Sequence, residues 1–193
     1  RLIYLFTTPE NEPLMIFCAT GLLYFLVRWT QYEDWRDFAW AALFVFLGTW
    51  TRYEGWALAA AACIVVSIVT RRQRIEATIQ FMGASVLGPM LWMLFNMFYF
   101  DDPLMFTYGI GSALANTTGK NFGTANDWTA SIVRYVVDVA YCLNSGVFWL
   151  AVGGLALGLY SLRYRTWRPT FVLLAACVAL FAFYVANLHE GNI

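Results

Sequence analysis

Six stretches without a single charged residue dominate this chain: Pro13–Val27, Phe38–Thr51, Gly55–Thr70, Ala77–Phe100, Val139–Leu162 and Pro169–Leu188. They run for 15, 14, 16, 24, 24 and 20 residues. A helix needs about 20 mostly apolar residues to cross a bilayer, within a range of about 17–25. The last three runs meet that length outright. The first three are short, but Trp29, Trp35, Trp50 and Trp56 flank them, and tryptophan extends a span through the interfacial belts. A buried soluble hairpin would account for the pair around Arg52 taken alone. Six such runs in one chain argue against it. The expected fold is all-α: a polytopic integral membrane protein with about six transmembrane helices, approximately 13–29, 37–51, 55–70, 81–100, 144–162 and 169–188, in a single transmembrane domain over 1–193.

Composition agrees. The chain is 61% hydrophobic and 12% charged, where soluble domains average about 45–50% and about 25%. So little charge does not cover a soluble surface, and 16 Phe, 9 Trp and 11 Tyr are too many for a disordered segment. Twelve basic against twelve acidic residues leave no net charge, which speaks against nucleic acid as a partner. The first residue is Arg1, no signal-peptide pattern precedes the first run, and Ile193 follows closely on the last run. We therefore expect a fragment of a longer polytopic protein. Cys18, Cys63, Cys142 and Cys177 lie in or beside apolar runs with no CxxC spacing, so small buried hydrophobes are expected rather than a metal or redox site.

Orientation follows from the basic residues. Connectors alternate sides along the chain, and one side collects Arg28, Arg36, Arg71, Arg72, Arg74, Arg163, Arg165 and Arg168. The other holds Arg52, Lys120 and Arg134. By the positive-inside rule the first side is cytoplasmic. Glu33, Asp34, Asp37 and Glu76 fall inside. Glu10, Glu12, Glu54, Asp101, Asp102, Asp127 and Glu190 fall outside, with Asp138 placed beside them.

The longest outer connector is Asp101–Trp128, and loops of that length are usually functional or disordered. At its end Asp127 is placed as an N-cap. Ile132, Val133, Val136, Ala140 and Leu143 then recur at helical spacing, with Arg134 and Asp138 as an i,i+4 pair. One outer-face amphipathic helix is expected here, leading into the fifth span.

Polar groups gather at the outer interface. Arg52 stands out, because it sits between two short spans beside the carboxylate of Glu54, against the prevailing charge bias. An ionisable residue at membrane depth is costly and tends to be functional. A guanidinium there would clamp a phosphate bidentately, with Glu54 orienting it or binding a hydroxyl. The competing reading is a turn-stabilising Arg–Glu pair that snorkels to the headgroups. Asp101-Asp102 before Pro103 suits either a divalent cation or sugar hydroxyls, or an ordinary solvated turn. Glu10 and Glu12, around Asn11, read the same way. His189 is the only histidine, so no two-His metal site and no Ser–His–Asp arrangement is complete. No metal ligand is assigned, no cofactor is certain, and a divalent cation stays an open option. Asn116-Thr117-Thr118 fits the glycosylation pattern only weakly.

The block Thr51-Arg52-Tyr53-Glu54-Gly55-Trp56 resembles an element of GT-C-fold membrane glycosyltransferases, in particular polyprenyl-phosphate-sugar enzymes akin to protein O-mannosyltransferases and lipid A aminoarabinose transferases. Asn96–Phe106 is similar to a stretch those enzymes carry at the outer end of a span, with Asp101 where glycine is usual. Asn11-Glu12-Pro13-Leu14 resembles their acidic residue before a span. The resemblance implies transfer of a sugar from a polyprenyl- or dolichyl-phosphate donor to an acceptor on the extracytoplasmic side, with inversion at the sugar carbon. It implies a catalytic Asp in a first outer loop, which would lie upstream of Arg1. Arg52, Glu54, Glu12 and Asp102 are then candidates for binding the donor, the bilayer and the lipid-linked sugar are the expected partners, and the acceptor stays open. The alternative is a polytopic transporter or lipid-linked-sugar flippase, with Gly83, Gly88, Pro89, Gly153 and Gly154 as broken-helix features or as packing positions.

Overall fold

The computed structural model describes residues 12–105, 126–142, 145–163 and 167–190. Among these residues every regular element is a helix. The seven are α1 Glu12–Tyr32, α2 Trp35–Thr51, α3 Glu54–Val69, α4 Arg74–Phe100, α5 Trp128–Cys142, α6 Ser145–Ser161 and α7 Trp167–Glu190. Of these α1, α4 and α7, with 21, 27 and 24 residues, are long and apolar enough to cross a membrane. α2 and α3 are shorter, at 17 and 16 residues. The chain thus has the character of a membrane protein.

α1 packs chiefly on α2, while α3 lies between α2, α4 and α7. α5 and α6 attach to this bundle through α7 and touch each other. The core is a continuous seam that includes Leu22, Leu26, Trp29, Phe38, Ala41, Val45, Leu58, Val65, Val66, Phe81 and Val172. Small residues let the helices approach closely, as in membrane bundles generally. A Cβ added to Gly55 would lie 2.2 Å from the Gly48 carbonyl oxygen, and one on Gly88 would lie 2.0 Å from Thr49 Oγ1. Gly88 is therefore a packing position. Gly83, Gly153 and Gly154 have nothing within 4 Å of an added Cβ.

Helix boundaries follow the charge-free runs closely except in two places. The Val139–Leu162 run, expected to reach spanning length outright, is divided between α5, which ends at Cys142, and the 17-residue α6, and α4 starts early. α4 begins at Arg74 rather than at residue 81. Arg74, Glu76 and Gln80 are good helix formers, so the helix continues past the apolar stretch that defined the expected span. The amphipathic segment is the helix α5, with Asp127 Oδ1 accepting the Ala130 amide at 3.0 Å and Arg134 paired with Asp138 at 2.8 Å. Leu143 lies outside the described residues. The cysteines depart from expectation: Cys18 is buried, but Cys63 is only half-buried and Cys177 is exposed. Cys177 lies on an outward flank of α7 near Tyr135 of α5, where an apolar run does not by itself give protein burial. The side chain of Cys142 lies outside the described residues.

Apart from the Arg134–Asp138 pair on α5, the charged side chains among the described residues lie toward the two ends of the bundle. At one end Arg28 pairs with Asp37 at 3.0 Å, and Glu33 accepts the Arg71 and Arg72 amides at 2.8 and 3.3 Å. Trp29 Nε1 closes that end of the core by donating to Thr70 Oγ1 at 3.1 Å. The other end, about 30 Å away along the 21 residues of α1, carries Glu12, Arg52 and Glu54.

Candidate functional site

The site forms around the two-residue turn between α2 and α3. Arg52 ends α2 in an extended conformation and Tyr53 begins α3. The Gly55 and Trp56 amides donate to the carbonyls of Arg52 and Tyr53, both at 3.0 Å. Helix C-termini leave carbonyls unpaired, and this turn supplies donors for them. Thr51 Oγ1 donates to Gly48 O at 2.8 Å, and Trp56 Nε1 donates to Thr49 O at 2.9 Å. Gly55 permits the close crossing that makes so short a turn possible. Four residues of the Thr51–Trp56 block thus build the turn, and they present the other two, Arg52 and Glu54, at its apex.

Glu54 takes the Nε and Nη2 edge of the guanidinium: Nε lies 3.1 and 3.2 Å from its two oxygens, and Nη2 lies 3.0 Å from Oε1. Arg52 Nη1 is in contact with Glu12 Oε1, at the first residue of α1. Tyr184, from α7, donates its hydroxyl to Glu54 Oε1 at 2.9 Å. Three segments far apart in sequence therefore converge on one arginine. Burial opposes the charge of Arg52, but the hydrogen bond and charge of Glu54, followed by the charges of Glu12 and Tyr184, outweigh it and raise the pKa above the ordinary arginine value. The guanidinium stays charged at any physiological pH.

Exposure separates the two carboxylates. The Glu54 side chain is 10% exposed, whereas Glu12 and Arg52 are each about one-third exposed. Glu54 is thus the fixed partner and Glu12 the one at the rim. A guanidinium has five N–H donors. Glu54 uses the Nε and one Nη2 proton and Glu12 one Nη1 proton, which leaves two for a ligand among the described residues. The cluster carries one positive and two negative charges, so an incoming anion has to compete with Glu12 for the open edge.

Asp102 takes another role. Its Oδ1 accepts the Leu104 amide at 2.9 Å, and the preceding Asp101 ends α4 in a left-handed conformation with φ 56°. The pair forms a turn, as the second reading of Asp101-Asp102-Pro103 has it. Asn96 is buried within α4 and donates to Trp92 O at 2.8 Å. His189 stacks on Trp128 with ring centroids 3.9 Å apart, and its carbonyl accepts the Asn126 amide at 2.9 Å. Among the described residues no three His, Cys, Asp or Glu side chains gather as a metal site. Glu10, Asn11, Lys120, Arg165 and the Asn116 pattern lie outside the described residues.

Tyr184 is the member that sequence reasoning missed. It sits inside the apolar run Pro169–Leu188, where a tyrosine counts toward the span. A hydroxyl at that position signals a polar contact, since buried tyrosine usually finds a partner. Compared with known proteins, the chain matches no family model, and no curated protein or solved structure matches it significantly. The function is therefore argued from the site itself.

Proposed function

We propose that this chain is the membrane part of a glycosyltransferase that transfers a sugar from a polyprenyl-phosphate donor to an acceptor on the extracytoplasmic side. The observation that carries the proposal is the Arg52 guanidinium, held along one edge by Glu54, which Tyr184 in turn anchors, with its other edge at the rim and two N–H donors left over. A purely structural ion pair gains little from a second, partly exposed carboxylate. A phosphate-binding arginine gains a counter-ion that yields when the donor arrives.

In this reading the six apolar runs are six spans and the Arg52 turn faces the outer leaflet. The donor enters laterally with its isoprenoid tail in the lipid. Its phosphate displaces Glu12 from Nη1 and takes the Nη1/Nη2 edge bidentately. As the glycosidic C–O bond breaks, negative charge grows on the departing lipid phosphate, and a prepositioned cation in a water-poor setting stabilises it most. Glu54 keeps the fork in the productive plane. The acceptor's oxygen forms the new bond to the sugar carbon, and its proton passes to a base in a first outer loop, as in the enzymes the chain resembles. Among the described residues the charged side chains of α1 to α4 and α7 lie near the helix ends, which gives a transporter reading no comparable support.

The test is sugar transfer from a radiolabelled polyprenyl-phosphate-sugar by the full-length protein in proteoliposomes. Arg52→Ala should abolish turnover while leaving membrane insertion intact, and Arg52→Lys, a point charge without the fork, should recover only a small part. Full activity in Arg52→Ala would overturn the assignment.

A further inference from the structure

The end of the bundle remote from Arg52 contains an open cavity of about 520 Å³, with Trp29, Tyr32, Trp35, Arg71, Arg72 and Arg168 in its walls. Its size falls in the range of small-ligand sites. Three arginines line it against the single acidic residue Glu33. That carboxylate is already committed, because its two oxygens accept the Arg71 and Arg72 amides. Its nearest approach to Arg168 is 3.9 Å, too long for a hydrogen bond.

Arg168 is the informative member. Its side chain is 14% exposed, and its Nε is buried with no hydrogen-bond partner among the described residues. Burial and the like charges of Arg71 and Arg74 disfavour its charge, with Glu33 working against them. A buried guanidinium N–H without an acceptor is costly, and repulsion from neighbouring cations adds to that cost. Stacking beside Trp167, at 5.8 Å, leaves the Nε proton without an acceptor among the described residues. An anion with several oxygens would supply one and reach the neighbouring arginines as well.

We propose that this cavity binds a phosphate group, with Arg168 supplying the buried contact and Arg71 and Arg72 the exposed ones. Planar guanidinium forks match phosphate oxygens. Two sources share this chemistry. One is the headgroup of an anionic phospholipid, for which basic pockets between helices are the usual receptors and an aromatic rim is the usual setting. The other is a soluble phosphate compound. Neither depends on the glycosyl-transfer reading, since the Arg52 cluster lies at the other end of α1.

The experiment uses the whole chain in phosphatidylcholine nanodiscs. In one arm the discs are doped with phosphatidylglycerol and retained lipid is counted by native mass spectrometry. In the other, inorganic phosphate is titrated calorimetrically into undoped discs. Each arm is repeated with Arg168→Gln and with Arg71→Gln/Arg72→Gln. The latter changes two exposed side chains that make no hydrogen bond among the described residues, so it keeps the test valid if Arg168→Gln misfolds. Saturable binding in either arm, weakened about tenfold or more by the substitutions, supports the site, and the responding arm names the source. Binding in neither arm, or binding that the substitutions leave unchanged, overturns it.

Discussion

The Tyr184 hydroxyl donates to Glu54 Oε1 at 2.9 Å and so ties α7 to the α2–α3 turn across 130 residues of sequence. Glu54 is nearly buried, so its carboxylate relies on this bond and on Arg52 to replace water. Removing one partner of a charged acceptor costs about 1.5–3 kcal/mol. Tyr184→Phe should therefore lower the thermal midpoint in detergent by a few degrees. Because Arg52 and Tyr184 share Glu54, Arg52→Ala/Tyr184→Phe should deviate from additivity by about 0.5 kcal/mol or more. Strict additivity would mean that the three side chains do not act as one cluster.

Glu12 makes the opposite prediction. It is the rim partner of Arg52 and adds the charge that opposes an incoming anion. Glu12→Gln should leave the protein folded and tighten donor binding, seen as a lower KM with little change in kcat in the proteoliposome assay. A KM that rises with Glu12→Gln would show that the carboxylate holds the donor rather than yielding to it.

Three glycines distinguish packing from flexibility. Gly55→Ala and Gly88→Ala each put a methyl group into a space already occupied by α2 atoms, and overpacking of this kind costs about 1–3 kcal/mol. Gly83→Ala meets nothing within 4 Å and gains up to about 1 kcal/mol of helix propensity. Thermal unfolding of the three variants in one detergent should rank Gly83→Ala at or above the wild type and the other two clearly below it. Equal behaviour would argue that the helices do not cross as closely as described.

Asp127 caps α5 through the Ala130 amide. Asp127→Ala should cost about 1 kcal/mol and raise hydrogen exchange in the first turn of α5, at Ala130 and Ser131, while α1 to α4 keep their protection. Uniform loss of protection would show that α5 is integral to the main bundle rather than attached through α7.

Much of this architecture was legible in the chain because charge and helix ends coincide at a membrane boundary. The ends of α1, α2, α3 and α7 fall within a few residues of the charge-free runs. α4 began early because a run without charges measures apolar length, whereas helix formation continues through Arg74 and Glu76. Arg52 and Glu54 were visible as neighbours, but their convergence with Glu12 was not, since 40 residues and a whole helical hairpin separate Glu12 from Arg52. Tyr184 was hidden by its own apolar ring. Asp102 reads as a ligand candidate because carboxylates in pairs attract that reading, and what the fold adds is that its Oδ1 accepts the Leu104 amide within a turn.

The unequal lengths of the helices have a consequence for the surrounding lipid. α2 and α3 are about 25 Å long, whereas α4 and α7 reach about 40 and 36 Å at 1.5 Å per residue. A hydrocarbon layer of about 30 Å does not fit both lengths at once. The mismatch is relieved by tilting the longer pair or by thinning the lipid beside the shorter one. Under the proposed six-span reading, thinning would draw headgroups toward the turn that carries Arg52. The short hairpin would then act as a local dent in the membrane with a guanidinium at its lowest point, whereas tilting would leave the lipid level there.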